Sequence, residues 1–147
     1  MPTLGVIDLP FLGVRLDSGA VADVDALEEG IIGMGDAFHR GGARMDAYLE
    51  LTMTAHRRAL RFWCVGAASV LWAWLVDGQI QGMLLAHNNP YDVVAGHAIA
   101  RAAGAICTDY AGTPLTLESN GAMAAVPGIQ PELVSLAADL AAATRES

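Results

Sequence analysis

The sequence predicts an α/β protein, a layered sheet flanked by helices. Three observations carry that prediction. Short runs rich in Val, Ile, Leu and Phe alternate with segments of helical periodicity along most of the chain. The length of 147 residues fits one domain. The composition is 54% apolar and 16% charged, with mean hydropathy +0.40, which suffices for a buried core and excludes a disordered chain.

In chain order, residues 3–8 and 11–16 read as two short strands broken at Pro10 and Gly13, and 17–20 as a turn. Residues 24–29 fit a short helix or a loop, and 30–35 a short apolar strand. The glycines and charges of 36–42 mark a connection. Residues 43–59 read as a helix with Met45, Leu49 and Met53 as its apolar stripe, while Arg44, Glu50, Arg57 and Arg58 can face water. A buried strand over 60–65 leads into a helix over 67–76, apolar all round and stopped by Asp77-Gly78. Residues 79–86 read as another strand. Pro90 opens a helix over 91–103 whose small residues permit close packing, and Gly104 ends it. A strand over 105–109, a turn at Tyr110-Ala111-Gly112 and a strand over 122–126 follow. The last helix, 131–145, sets Leu133, Leu136 and Leu140 on one stripe. The leading strands have no sequential helix to cover them, so their edges should pair with something.

Charge and length exclude several classes. The net charge is −8 and the pI about 4.7, the opposite of what a phosphate-backbone binder needs, so no nucleic-acid partner is expected. The longest uncharged run, 62–76, has 15 residues, short of the roughly 20 of a spanning helix. The first residues lack the basic and apolar regions of a signal peptide. A cytoplasmic protein without membrane contact is expected. Cys64 and Cys107 lie in apolar runs and read as core thiols of a reducing compartment.

Two places could carry chemistry. Asp92 follows Asn88-Asn89-Pro90-Tyr91 in the first turn of an otherwise apolar helix. A carboxylate there either stabilises the positive helix end or stands at the mouth of a site, ready for a cation. Gly66-Ala67-Ala68 joins a buried strand to a buried helix; its small side chains either pack tightly or let a ligand approach backbone N–H groups. The four histidines, His39, His56, His87 and His97, show no metal-ligand spacing, and no nucleophile elbow, P-loop or dinucleotide fingerprint occurs. Ser69 has no nearby base. A site built on His87 or Asp109 as acid or base is a weaker option, because nothing in the sequence places them together.

Four blocks together resemble one family. Arg61-Phe-Trp-Cys-Val-Gly66-Ala-Ala-Ser, Val76-Asp77-Gly78, Asn89-Pro90-Tyr91-Asp92-Val-Val-Ala95-Gly96 and Ala103-Gly104 through Thr108-Asp109-Tyr-Ala-Gly112 occur in order at family-like spacings. They look like the C-terminal half of the inositol monophosphatase family of Mg²⁺-dependent sugar-phosphate phosphatases. Gly121-Ala-Met-Ala-Ala-Val is similar to that family's last strand, and residues 3–10 to the strand leading away from its first active-site loop. The resemblance implies that Asp92 ligates a catalytic Mg²⁺ and that Gly66, Ala67 and Ala68 contact the sugar or inositol ring of a small phosphate ester. In the family, metal-activated water attacks the phosphate in line.

The departures shape the expectation. The family's other metal ligands sit on a G-E pair and a D-P-x-D-G-T loop, and neither motif occurs here. Leu85 stands where a substrate-binding glutamate is common, Tyr91 replaces the usual Trp, and Ala67 the usual Ser or Thr. Residues 1–35 are therefore expected to continue an absent N-terminal lobe, and 36–147 to form the C-terminal α/β lobe. The chain alone should hold an incomplete Mg²⁺ site and not turn over substrate, needing an N-terminal-lobe partner chain. The alternative is a non-catalytic binding or assembly module that keeps the fold, with a homo-oligomer as its natural outcome.

Overall fold

The computed structural model describes residues 5–10, 13–16, 20–35, 43–86 and 89–145. Expectations resting on His39, His87 and the 36–42 connection fall outside them. A five-stranded sheet runs in the order β4-β3-β5-β7-β6, from β3 (Ile31–Met34), β4 (Arg61–Cys64), β5 (Gly82–Leu85), β6 (Ile106–Thr108) and β7 (Ala122–Ala125). β3 pairs in parallel with both β4 and β5, while β7 is antiparallel to β5 and β6. The segment 30–35 is a strand, as expected, and lies inside the large sheet, with Ile32, Gly33 and Met34 all buried.

Among the described residues, five α-helices cover the two faces: α1 (Ala43–Arg58), α2 (Ala68–Val76), α3 (Pro90–Ala102), α4 (Gln130–Leu136) and α5 (Ala138–Arg145). Strand alternation sorts the core. Met83 and Leu85 of β5, with Ala122 and Ala124 of β7, face the α2–α3 layer, where Leu71, Trp72, Leu75 and Ile99 are buried. Leu84, Met123 and Ala125 face the other layer, with Tyr48, Leu51, Leu133 and Leu140 from α1, α4 and α5. The two parallel crossovers, through α1 and through α2, therefore lie on opposite faces, as in a doubly wound sheet.

Several details depart from the periodicity. On α1 the buried stripe is Tyr48, Leu51 and Ala55, whereas Leu49 and Met53 are about half exposed (51% and 49%). The stripe is decided by the fit onto β3: the Tyr48 hydroxyl donates to the Gly35 carbonyl just past that strand. The last helix is broken at Ala137 into α4 and α5. Cys107 is buried as expected, but Cys64, the last residue of β4, is exposed. Ser69 sits in the first turn of α2.

β1 (Ile7–Leu9) and β2 (Val14–Leu16) form a separate antiparallel hairpin. It lies on the outer side of the helical layer, with Ile7 buried in the core that holds Leu71 and Trp72. Gly5 shows how close the approach is: a Cβ there would stand 2.3 Å from the Ala95 carbonyl oxygen on α3.

Candidate functional site

β3, β4 and β5 are parallel, so their C-terminal ends lie along one edge of the sheet. In open α/β sheets the crevice outside those ends is the usual ligand position. Both sequence candidates fall there. β4 ends at Cys64, and Val65-Gly66-Ala67 turns the chain into α2, with Gly66 exposed and Ala67 and Ala68 half-buried. Ala67 occupies the cap position of α2 with extended backbone (φ −136°, ψ 107°) and no side-chain cap, so the first turn presents backbone amides beside small side chains.

β5 ends at Leu85, and α3 begins at Pro90, whose fixed φ suits the first helical position. Asn89 caps this helix unusually. Its side chain makes no bond to the backbone of the first turn; its Nδ2 donates instead to Asp92 Oδ2 at 3.1 Å, while Asp92 N–H donates to the Asn89 carbonyl at 2.9 Å. The Asp92 carboxylate is half-buried and held at the rim by that amide. Tyr91 beside it is 86% exposed.

α2 and α3, at whose starts the two candidates lie, pack along each other. The link is Trp72, fully buried, whose Nε1–H donates to the main-chain carbonyl of Asp92 at 2.9 Å. In the sequence Trp72 is one residue of the helix over 67–76 that reads as apolar all round. Its partner is a backbone atom 20 residues away, which leaves no mark in the sequence.

Other candidates are accounted for differently. Asp109 Oδ1 accepts from the amides of Ala111 and Thr113, each at 2.9 Å, and so organises the β6–β7 turn. Leu85 is buried in the core. His97 is buried on α3, where loss of solvent first and the Arg101 guanidinium second hold its imidazole below the ordinary pKa of 6.5. Burial pushes the Cys107 thiol up to about 12. The described residues contain no group of three or more His, Cys, Asp or Glu that could hold a metal ion. Mg²⁺ asks for near-octahedral oxygen coordination. A resident Mg²⁺ therefore does not fit the described residues by themselves.

A family model, that of the inositol monophosphatase family, matches residues 2–145. The chain belongs to this family. Among curated members, the inositol-1-monophosphatase ImpA of Mycolicibacterium smegmatis is 34% identical over 71 residues, which is 48% of this chain and 26% of that protein. Among solved members, an IMPase of Thermotoga maritima superposes on 95% of the chain with TM-score 0.82 and 21% identity, and the chain spans 57% of it. The inositol monophosphatase of Anabaena (Nostoc) sp. PCC 7120 gives TM-score 0.81 and 25% identity over 92% of the chain, which spans 60% of that structure. This inositol monophosphatase family chain thus has the family's α/β architecture over little more than half the length of these solved members. No helix among the described residues is long and apolar enough to cross a membrane.

Proposed function

We propose that this chain is the C-terminal portion of a Mg²⁺-dependent phosphomonoesterase acting on inositol or a related sugar or polyol phosphate. The family match over residues 2–145 carries the reading. In it, Asp92 supplies one carboxylate at the rim, and Gly66, Ala67 and Ala68 line the place of the substrate ring. The Asn89 side chain restrains that carboxylate. The exposed Gly66 leaves room for a ligand at the first turn of α2. The remaining acidic groups must come from a lobe that the described residues do not contain. The β1–β2 hairpin is where it would attach, since its two strands pair only with each other among the described residues. Without that lobe the chain is inactive. A cytoplasmic location belongs to the same proposal and rests on the sequence.

A second reading has its own support. Leu85 is buried in the core where the resemblance places a substrate-binding glutamate, and no carboxylate joins Asp92 in a metal cluster among the described residues. A chain that keeps the fold as a binding or assembly module would look like this.

Native mass spectrometry of the protein from its source, followed by assay of the isolated assembly on inositol 1-phosphate with Mg²⁺, separates the two. A second polypeptide at fixed stoichiometry, with hydrolysis abolished by Asp92→Asn, supports the phosphatase. A homo-oligomer without hydrolysis supports the module. Hydrolysis that survives Asp92→Asn unchanged removes Asp92 from the site.

A further inference from the structure

We infer that Trp72 is a positioning residue: its indole fixes the first turn of α3, and with it Asp92, against the first turn of α2. The site's purpose is taken from the reading above; the positioning itself rests on contacts alone. Trp72 lies one turn after Ala68 on α2 and is fully buried, although its ring reaches to the α3 rim. The Nε1–H donates to the Asp92 carbonyl oxygen at 2.9 Å. That carbonyl belongs to the first turn of α3, so the bond pins the residue that carries the carboxylate, not a neighbour.

The ring meets α3 a second time. A Cβ on Gly96 would stand 2.1 Å from Trp72 Cγ and 2.4 Å from Cδ1 and Cδ2. The indole therefore lies directly on the α3 backbone one turn beyond Asp92, in a seat that only glycine leaves open. Hydrogen bond and seat together fix both the separation and the register of the two helix starts. Asn89 then orients the carboxylate on a turn whose place is already set. A buried N–H needs an acceptor, and the one that Trp72 takes sits at the rim, on the residue that carries the carboxylate.

The test combines indole NMR with backbone hydrogen exchange on the chain itself. In the wild-type chain the Trp72 indole N–H should exchange at least roughly tenfold more slowly than an exposed indole, as a buried hydrogen bond requires. Asp92→Asn should move the Trp72 indole resonance and leave those of Trp63 and Trp74 in place. Trp72→Phe, which keeps a ring but removes the donor, should speed amide exchange across 89–94 roughly tenfold while β5 and β7 stay protected. Unchanged exchange across 89–94 in a folded Trp72→Phe chain overturns the inference. So does a wild-type Trp72 indole that exchanges like an exposed one, and this measurement decides alone should Trp72→Phe not fold. None of these readouts uses turnover, so failure of the phosphatase reading would leave the result on Trp72 standing.

Discussion

Replacing Gly96 with alanine tests the α2–α3 contact with a single carbon. The added Cβ would meet Trp72 Cγ at 2.1 Å and two further ring atoms at 2.4 Å. Ordinary carbon contacts lie at about 3.5–4.0 Å, so the ring or the helix must move by more than an ångström. Trp72 is fully buried, and its Nε1 bond to Asp92 fixes one edge. Overpacking of a tight core costs about 1–3 kcal/mol, and a strained or lost hydrogen bond about 1 kcal/mol more. Against this stands the helical preference for alanine over glycine, worth about 1 kcal/mol in the interior of a helix. The net expectation is a loss of about 2 kcal/mol, or a melting point lower by roughly 4–8 °C for a domain of this size. Urea denaturation and thermal melting followed by circular dichroism read both numbers. The double variant Gly96→Ala with Trp72→Leu should lose less than the sum of the single changes, because the smaller side chain vacates the collision. A Gly96→Ala protein as stable as the parent or more so would mean that propensity outweighs packing and that the two helices are not in close contact.

Three further outcomes follow from the same geometry. Gly121→Ala should destabilise by about 2–3 kcal/mol in the same assay, since its Cβ would fall 2.2 Å from the buried Tyr110 ring, whose hydroxyl donates to the Leu85 carbonyl at the end of β5. The chain should lose stability as pH falls below about 6.5: the folded His97 pKa is lowered, so the unfolded state takes up the proton first. Denaturation at pH 5 and 7.5 should show the difference, and His97→Gln should shrink it. Iodoacetamide at pH 8 should label the exposed Cys64 and spare Cys107, whose thiol is pushed up to about 12, until the chain is unfolded; peptide mass spectrometry reads the sites, and equal labelling of both would contradict the buried β6.

Much of this protein is written locally. Apolar runs at strand period, the Pro90 start, and Asp77-Gly78 and Gly104 as stops place the main elements within a few residues, because these signals act through φ, ψ and side-chain direction within one turn. Gly78 and Gly104 do take positive φ, 75° and 98°. The motif spacing identified the family, and it put Asp92 and Gly66 at loop ends, which a parallel sheet gathers along one edge.

What the sequence left open was decided by contacts between distant segments. The order of strands is one case: β7 slides between β5 and β6, since its alternating faces, Ala122 and Ala124 against Met123 and Ala125, fit both cores at once. The face of α1 is another. Two stripes compete there, and the one bearing Tyr48 is buried: its hydroxyl meets the Gly35 carbonyl and its side chain joins the core on that face of the sheet. The two cysteines are a third: both lie on edge strands in apolar runs, yet Cys107 is covered and Cys64 is exposed, which only the assembled layers decide. Last is the bond from Trp72 to the Asp92 carbonyl. Every residue offers a similar carbonyl, so sequence cannot say which one a tryptophan will find; the packing of α2 on α3 over Gly96 does.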